Sequence, residues 1–287
     1  MTDTVTYALE HRIEASPDDV FAALVAPAAM REWLADEADV DRDAGRYEFW
    51  GPTVPGGERG RQRLVSADAG RILRFAWSLD GRDTEVGIAL EPDGGACSLV
   101  LTHAGVRPRE GAEPSVRDWW HLALDNLASL AEGRGLAPRP DLTRAPGPSV
   151  GGTIEIDADP AAVWRSLVEP AELDRWIADH ATVEPRVGGA YDFGWDHGPM
   201  RILALEPQRR LSYSWRRPGD PDTVVTWELE GSGGGTRLTL VHSGFTSPRS
   251  AGGYDVGWAA FLASFKRMQE LEGRWRPVQS VAPVPAA

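Results

Sequence analysis

APAAMREWLAD, Ala26 to Asp36, returns as EPAELDRWIAD, Glu169 to Asp179. Pro27 answers Pro170, Ala28 answers Ala171, Trp33 answers Trp176, and Ala35 and Asp36 answer Ala178 and Asp179, all at an offset of 143. A tryptophan rarely recurs inside such a frame by chance. The echo spreads outward on both sides. IEASPDDVFAALV at Ile13 returns as IDADPAAVWRSLV at Ile156, and GRYEFW at Gly45 as GAYDFGW at Gly189. LRFAW at Leu73 returns as LSYSW at Leu211, and CSLVLTHAGV at Cys97 as TRLTLVHSGF at Thr236, always in the same order. A period of about 140 residues is far above the roughly 20 to 50 of solenoid repeats, so each copy is predicted to be a whole domain.

The length agrees: 287 residues are too many for one ordinary core and divide into two, each large enough to bury about 68% of its surface. The net charge of -13 repels phosphate backbones, which argues against a nucleic-acid partner. Lys266 is the one lysine, so no phosphate-binding loop ending in Gly-Lys exists elsewhere. Metalloprotease, paired-cysteine and dinucleotide-glycine patterns are absent too, and no metal or other cofactor is expected. No apolar run reaches the roughly 18 residues that span a bilayer, so membrane insertion is not expected. The single cysteine, Cys97, and an N-terminus without signal-peptide order predict a cytoplasmic protein.

Each copy reads in one order. A first strand (about Tyr7 to Glu14, or Gly152 to Asp157) runs into Ser16-Pro17 or Asp159-Pro160, an N-cap followed by proline in the first turn. Pro27 or Pro170 breaks the short helix that follows and begins a second. About six strands of period-two alternation come next, then a long helix with Trp120, Ala123, Leu124, Leu127 and Leu130, or Trp258, Phe261, Leu262, Phe265 and Met268, on one face. The plan is α+β, a curved antiparallel sheet gripping one helix. The predicted boundaries are a domain over residues 1–134, a proline-rich linker over 135–149, a second domain over 150–274 and a disordered tail over 275–287.

This order, with Pro27, Trp33, Gly45, Trp77, His103 and Gly105 and their repeats Pro170, Trp176, Gly188, Gly189, Trp215, His242 and Gly244, resembles the START-like SRPBCC superfamily. The branch is that of the C-terminal domain of the heat-shock protein 90 ATPase activator, which also holds the calicheamicin self-resistance protein. The resemblance implies two tandem helix-grip domains. Its members include ligand carriers, polyketide cyclases, resistance proteins and co-chaperone modules, so it points to several functions at once.

In such a fold the sheet and the long helix enclose an apolar chamber with a few polar groups. In the first copy its expected lining is His11, Tyr47, Phe49, Phe75, Trp77, Ile88, His103, Trp119, Trp120, Ala123 and Leu127. In the second it is Tyr191, Phe193, Tyr213, Trp215, Trp227, His242, Trp258, Phe261 and Phe265. His103 shares a strand face with Leu99 and Leu101, where it is either a core histidine or a ligand contact and general base. His11 stands where the second copy has Ile154, and pairing of first and last strands would bring it near His103 as a second catalytic candidate. Trp119 has no counterpart on the second helix, because Trp120 already answers Trp258. Ile88 and Ala123 replace Trp227 and Phe261, which predicts a larger and more polar chamber in the first copy.

The expected function is binding of a hydrophobic or aromatic small molecule, mainly in the first domain, for carriage, sequestration with self-resistance, or sensing. The alternatives are a cyclase or dehydratase using the chamber histidines and a co-chaperone-like protein-binding module. Pairing of the two domains within the chain is a further possibility.

Overall fold

The computed structural model of the chain describes residues 4–108, 115–196, 198–217 and 221–282. It divides into two units, one running to Arg144 and resuming at Arg276, the other Ala145–Trp275. The first holds β1 (Val5–Ile13), α1 (Pro17–Val25), α2 (Pro27–Trp33), β2 (Glu37–Asp41), β3 (Arg46–Trp50), β4 (Gln62–Asp68), β5 (Ile72–Leu79), β6 (Arg82–Asp93), β7 (Ala96–Val106) and the long helix α3 (Val116–Ala131). The second repeats the order with β8 (Ser149–Ile156), α4 (Pro160–Val168), α5 (Pro170–Trp176), β9 (Thr182–Val183), β10 (Ala190–Asp192), β11 (Met200–Glu206), β12 (Arg210–Trp215), β13 (Thr223–Ser232) and β14 (Gly235–Ser243). A short α6 (Pro248–Ala251) precedes its long helix α7 (Tyr254–Leu271), and a last strand β15 (Gln279–Ser280) follows.

Both units are α+β with antiparallel sheets, as the repeat predicts. The sheet orders are β15-β1-β7-β6-β5-β4, with β2 and β3 as a separate hairpin, and β8-β14-β13-β12-β11-β10-β9. The first strand of each unit lies beside its last, so His103 stands opposite Tyr7 and Val86, and His242 opposite Val150 and Val225. On β8 only glycine fits at Gly151: its φ is +152°, and a Cβ there would stand 2.0 Å from the Leu240 carbonyl oxygen.

The repeated helix pair explains the repeated tryptophan. Ser16 accepts from the Asp19 amide at 3.2 Å and Asp159 from the Ala161 amide at 2.7 Å, capping α1 and α4. The prolines that start α2 and α5 end these helices after nine residues, leaving carbonyls of the last turn without helical partners. Trp33 Nε1 donates to the Ala23 carbonyl at 3.0 Å and Tyr47 Oη to the Leu24 carbonyl at 2.9 Å. Trp176 donates to Ser166 at 3.0 Å and Tyr191 to Leu167 at 2.7 Å. Trp and Tyr thus tie the helix pair to the sheet in both copies.

Two boundary expectations are corrected. The segment over 135–144 is not a free linker, because it lies along the first unit. Ala137 and Asn126 of α3 exchange hydrogen bonds of 2.9 and 3.1 Å, the Leu142 amide donates to the Pro52 carbonyl at 2.7 Å, and Arg139 reaches the Arg31 carbonyl at 3.0 Å. That cover agrees with α3 being buried without interruption from Leu122 to Ser129, where an amphipathic stripe alone would leave an exposed face. Residues 275–282 are likewise ordered. Gln279 and Ser280 pair with Glu10 and Leu9 on the outer edge of β1, the Val281 amide reaches the Ala8 carbonyl at 3.0 Å, and Arg117 donates to Ser280 Oγ at 2.8 Å. The prolines prevented a long strand and still left room for two paired residues. The rest of the expected tail, 283–287, lies outside the described residues.

Candidate functional site

The histidine of the last strand is held from two sides. Trp120 Nε1 donates to Nδ1 of His103 at 3.0 Å, so Nδ1 carries no proton. The proton is therefore on Nε2, which donates to Thr84 Oγ1 at 2.8 Å, and that hydroxyl donates to the Trp77 carbonyl at 2.8 Å. The second copy repeats the chain: Trp258 to His242 at 3.0 Å, His242 to Thr223 at 2.7 Å and Thr223 to the Trp215 carbonyl at 3.4 Å. Burial pushes both imidazoles down to about 3. Neither nitrogen of either ring is presented for proton transfer. The chain of bonds joins the long helix to the sheet, the geometry of a strut.

The rings of the first copy form one cluster. Tyr47, Phe49, Phe75 and Trp77 meet at centroid distances of 4.9 to 6.0 Å, and Trp77 stacks on His103 at 5.4 Å. Trp119 completes it, 6.4 Å from Phe49, 5.6 Å from Trp77 and 4.6 Å from Trp120, with Nε1 donating to the Thr53 carbonyl at 2.8 Å. Thr53 is fixed in turn by Asp36, whose Oδ2 accepts from its amide at 3.0 Å and its hydroxyl at 2.8 Å. Trp119 lies one turn before Ala123 on the same helix face.

The open chamber expected in the first copy is corrected by this packing. Its eleven expected lining residues, His11, Tyr47, Phe49, Phe75, Trp77, Ile88, His103, Trp119, Trp120, Ala123 and Leu127, are between 0% and 3% exposed. Walls of an empty chamber of ligand size would keep accessible surface; here the interior is packed, with Trp119 seated against Phe49, Trp77 and Trp120. In the second copy Gly257 stands in its place, and Trp195 instead meets Phe193 at 5.1 Å and Trp215 at 6.0 Å. The same ring contacts are reached from a loop rather than from the helix.

His11 does not meet His103. The register sets His11 opposite Leu99 and His103 opposite Tyr7, four residues along β1. The residue facing His11 is Asp125 of α3, with Oδ1 3.5 Å from Nε2 and side chains 2% and 0% exposed respectively. Sequence reading missed Asp125. Its signal was the repeat itself, because Asp125 aligns with Ala263 just as His11 aligns with Ile154.

The second copy is filled by its own rings. Trp227 donates to Tyr213 Oη at 3.2 Å and lies 6.0 Å from Trp176, which meets Phe265 at 4.7 Å and half-buried Phe261 at 6.2 Å. Two clefts beside this cluster, at Phe193 and Trp215 and at Thr223 and Tyr254, hold about 10 Å³ each, space for one water. An open groove of about 570 Å³ runs between α4 and the end of α7. Asp157, Asp159, Arg165, Arg175 and Glu272 line it, a mixed-charge wall unsuited to an apolar molecule.

Cys97 is buried, and burial raises its thiol to about 11, which makes it unreactive. Gly147 to Gly151 spells Gly-x-Ser-x-Gly, yet Ser149 opens β8 opposite Ser243, without the strand-to-helix elbow a nucleophile needs. Among the described residues no three His, Cys, Asp or Glu side chains gather as they would around a metal ion, and no helix is long and apolar enough to cross a membrane.

The sequence model for "Activator of Hsp90 ATPase homolog 1-like protein" matches twice, over residues 14–132 and 157–270. No curated protein matches the sequence. Among solved structures, protein MLL2253 from Mesorhizobium loti is 30% identical over 42% of this chain and 95% of its own, with a TM-score of 0.39. CalU16 from Micromonospora echinospora is 30% identical over 45% of this chain and 77% of its own, with a TM-score of 0.40. DynU16, from the dynemicin biosynthetic locus, is 19% identical over 92% of this chain and 99% of its own, with a TM-score of 0.33.

Proposed function

The chain belongs to the activator of Hsp90 ATPase homolog 1-like family in both halves, and on that premise we propose that its first domain binds an apolar or aromatic small molecule, for carriage, sequestration or sensing. The observation that carries this reading is Trp119. It is buried one turn before Ala123 on α3, in a domain whose Ile88 and Ala123 stand where the second copy has Trp227 and Phe261. The indole donor of Trp119 is anchored to a loop carbonyl rather than to the sheet, so the ring can turn out of the interior while α3 and the strands keep their own bonds. An apolar ligand would displace the Trp119 indole and take its contacts with Phe49 and Trp77. Transfer of ligand surface from water drives binding at about 25 cal/mol per Å². The second domain, filled by its own rings, is not the site in this reading.

The cyclase or dehydratase alternative draws no support from the site, since His11 and His103 do not face a common space and His103 is bonded at both nitrogens. Native mass spectrometry of freshly purified protein tests the leading reading. An apolar mass retained by the wild type and lost in Ala123→Phe supports it. An unliganded protein that also fails to take up any added neutral aromatic compound contradicts it.

A further inference from the structure

The loop over 51–57, between β3 and β4, offers two neighbouring carbonyls to two different partners. That of Thr53 accepts from Trp119 Nε1 at 2.8 Å, and that of Pro52 accepts from the Leu142 amide at 2.7 Å. They stand on consecutive peptide planes, so a turn of one is felt by the other. Asp36 fixes both: its Oδ2 accepts from the Thr53 amide and hydroxyl, and a Cβ on Gly51 would stand 2.2 Å from the same oxygen. The charge of Asp36 also acts on Arg139, which reaches the Arg31 carbonyl at 3.0 Å. Trp119, Ala123 and Asn126 fall at i, i+4 and i+7 on α3, one stripe of the helix, and Asn126 is the residue that exchanges hydrogen bonds with Ala137. The segment over 135–144 is therefore fastened at one end to the helix stripe that carries Trp119 and at the other to the loop that holds its indole. In the second copy Gly257 stands for Trp119 and Ser264 for Asn126, so indole and anchor are present together in one copy and absent together from the other.

Resting on the reading that the first domain binds an apolar molecule, we propose that residues 135–144 are a latch released by that molecule, so that occupancy of the first domain frees the segment leading to the second. A ligand that displaces the indole takes its proton away from the Thr53 carbonyl. A buried carbonyl without a donor is costly, so the loop turns it toward water. The adjoining Pro52 carbonyl turns with it and gives up the Leu142 amide. Once that end is loose, the Asn126 pair with Ala137 and the Arg139 bond hold the segment alone. The coupling runs both ways, because two binding equilibria that share a state change each other's constants by the same factor. Loosening the latch by mutation therefore makes the indole easier to displace and tightens the ligand.

Amide hydrogen exchange of the full chain, with and without saturating N-phenyl-1-naphthylamine, tests this, with probe fluorescence recording occupancy in the same samples. The Ala137 and Leu142 amides are expected to exchange at least about fivefold faster when the probe is bound. Leu142→Pro, which removes the amide held by Pro52, and Asn126→Ser, which installs the residue of the second copy, are each expected to bind the probe at least about fivefold more tightly than the wild type. Bound probe with unchanged or slower exchange at both amides overturns the latch and leaves the apolar site standing. Folded variants that bind the probe no more tightly than the wild type do the same. The exchange measurement needs no variant, so it decides the matter even where neither variant folds. No probe binding by the wild type or by either folded variant overturns the underlying reading, and the latch with it.

Discussion

Trp120 donates its indole proton to Nδ1 of His103 across 3.0 Å, and Trp258 does the same to His242 at the same distance. The bond is the join between long helix and sheet. Replacing His103 or His242 by Ala leaves a buried indole N–H and a buried threonine hydroxyl without their partner. Each replacement is expected to destabilise its own domain by about 2 to 4 kcal/mol. Denaturant titration of the two variants checks this, and unchanged midpoints would show the bonds to be dispensable.

The same histidines set a pH dependence. An unfolded histidine gains its proton near 6.5, whereas the folded ones, pushed down by burial, gain theirs near 3. Between those values the unfolded chain holds more protons, so stability is complete above about pH 6.5 and falls as the pH is lowered. The slope is about 1.4 kcal/mol per pH unit for each histidine. Urea midpoints that stay level from pH 7 to pH 5 would contradict the assignment.

Cys97 is expected to resist thiol reagents in the native protein and to react once urea unfolds the chain, since its thiol is buried and raised to about 11. Stoichiometric labelling of the folded protein at pH 7.5 would show that β7 opens locally.

Removing residues 276–287 strips β15 from the edge of β1, together with the Arg117 bond to Ser280. The first domain is expected to lose about 1 to 2 kcal/mol and the second to be unaffected. Two calorimetric transitions, of which only one moves, are the expected result; a shift of both or of neither would contradict the pairing.

Much of this architecture was legible in the sequence because the chain carries its own comparison. The repeat fixed domain count, element order and the aromatic scaffold, and Trp33 and Tyr47 found the same roles as Trp176 and Tyr191. Three features were not legible, each for a physical reason. β15 is two residues long among prolines, too short for a hydrophobic period to register. Trp119 bonds to Thr53 in a loop, and loop positions carry no periodicity that predicts a partner 66 residues away. Asp125 was passed over because it lies off the stripe of Trp120, Ala123, Leu124, Leu127 and Leu130, on a face that helical spacing reads as exposed, whereas this helix is buried without a break from Leu122 to Ser129. Substitutions within the interior, small for large at Ile88 and Ala123, suggested a larger chamber, whereas both residues are packed, at 2% and 3% exposure.

The central claim is that the interior of the first domain takes an apolar molecule in place of the Trp119 indole. The most direct test is the dissociation constant of one neutral aromatic probe, N-phenyl-1-naphthylamine, for the wild type and for Ala123→Phe, read by probe fluorescence. The account predicts saturable binding of one probe per chain to the wild type and a loss of at least about tenfold in Ala123→Phe, equivalent to about 1.4 kcal/mol. An Ala123→Phe protein that binds the probe as the wild type does, and is also more stable, would contradict it and move the function to the surface.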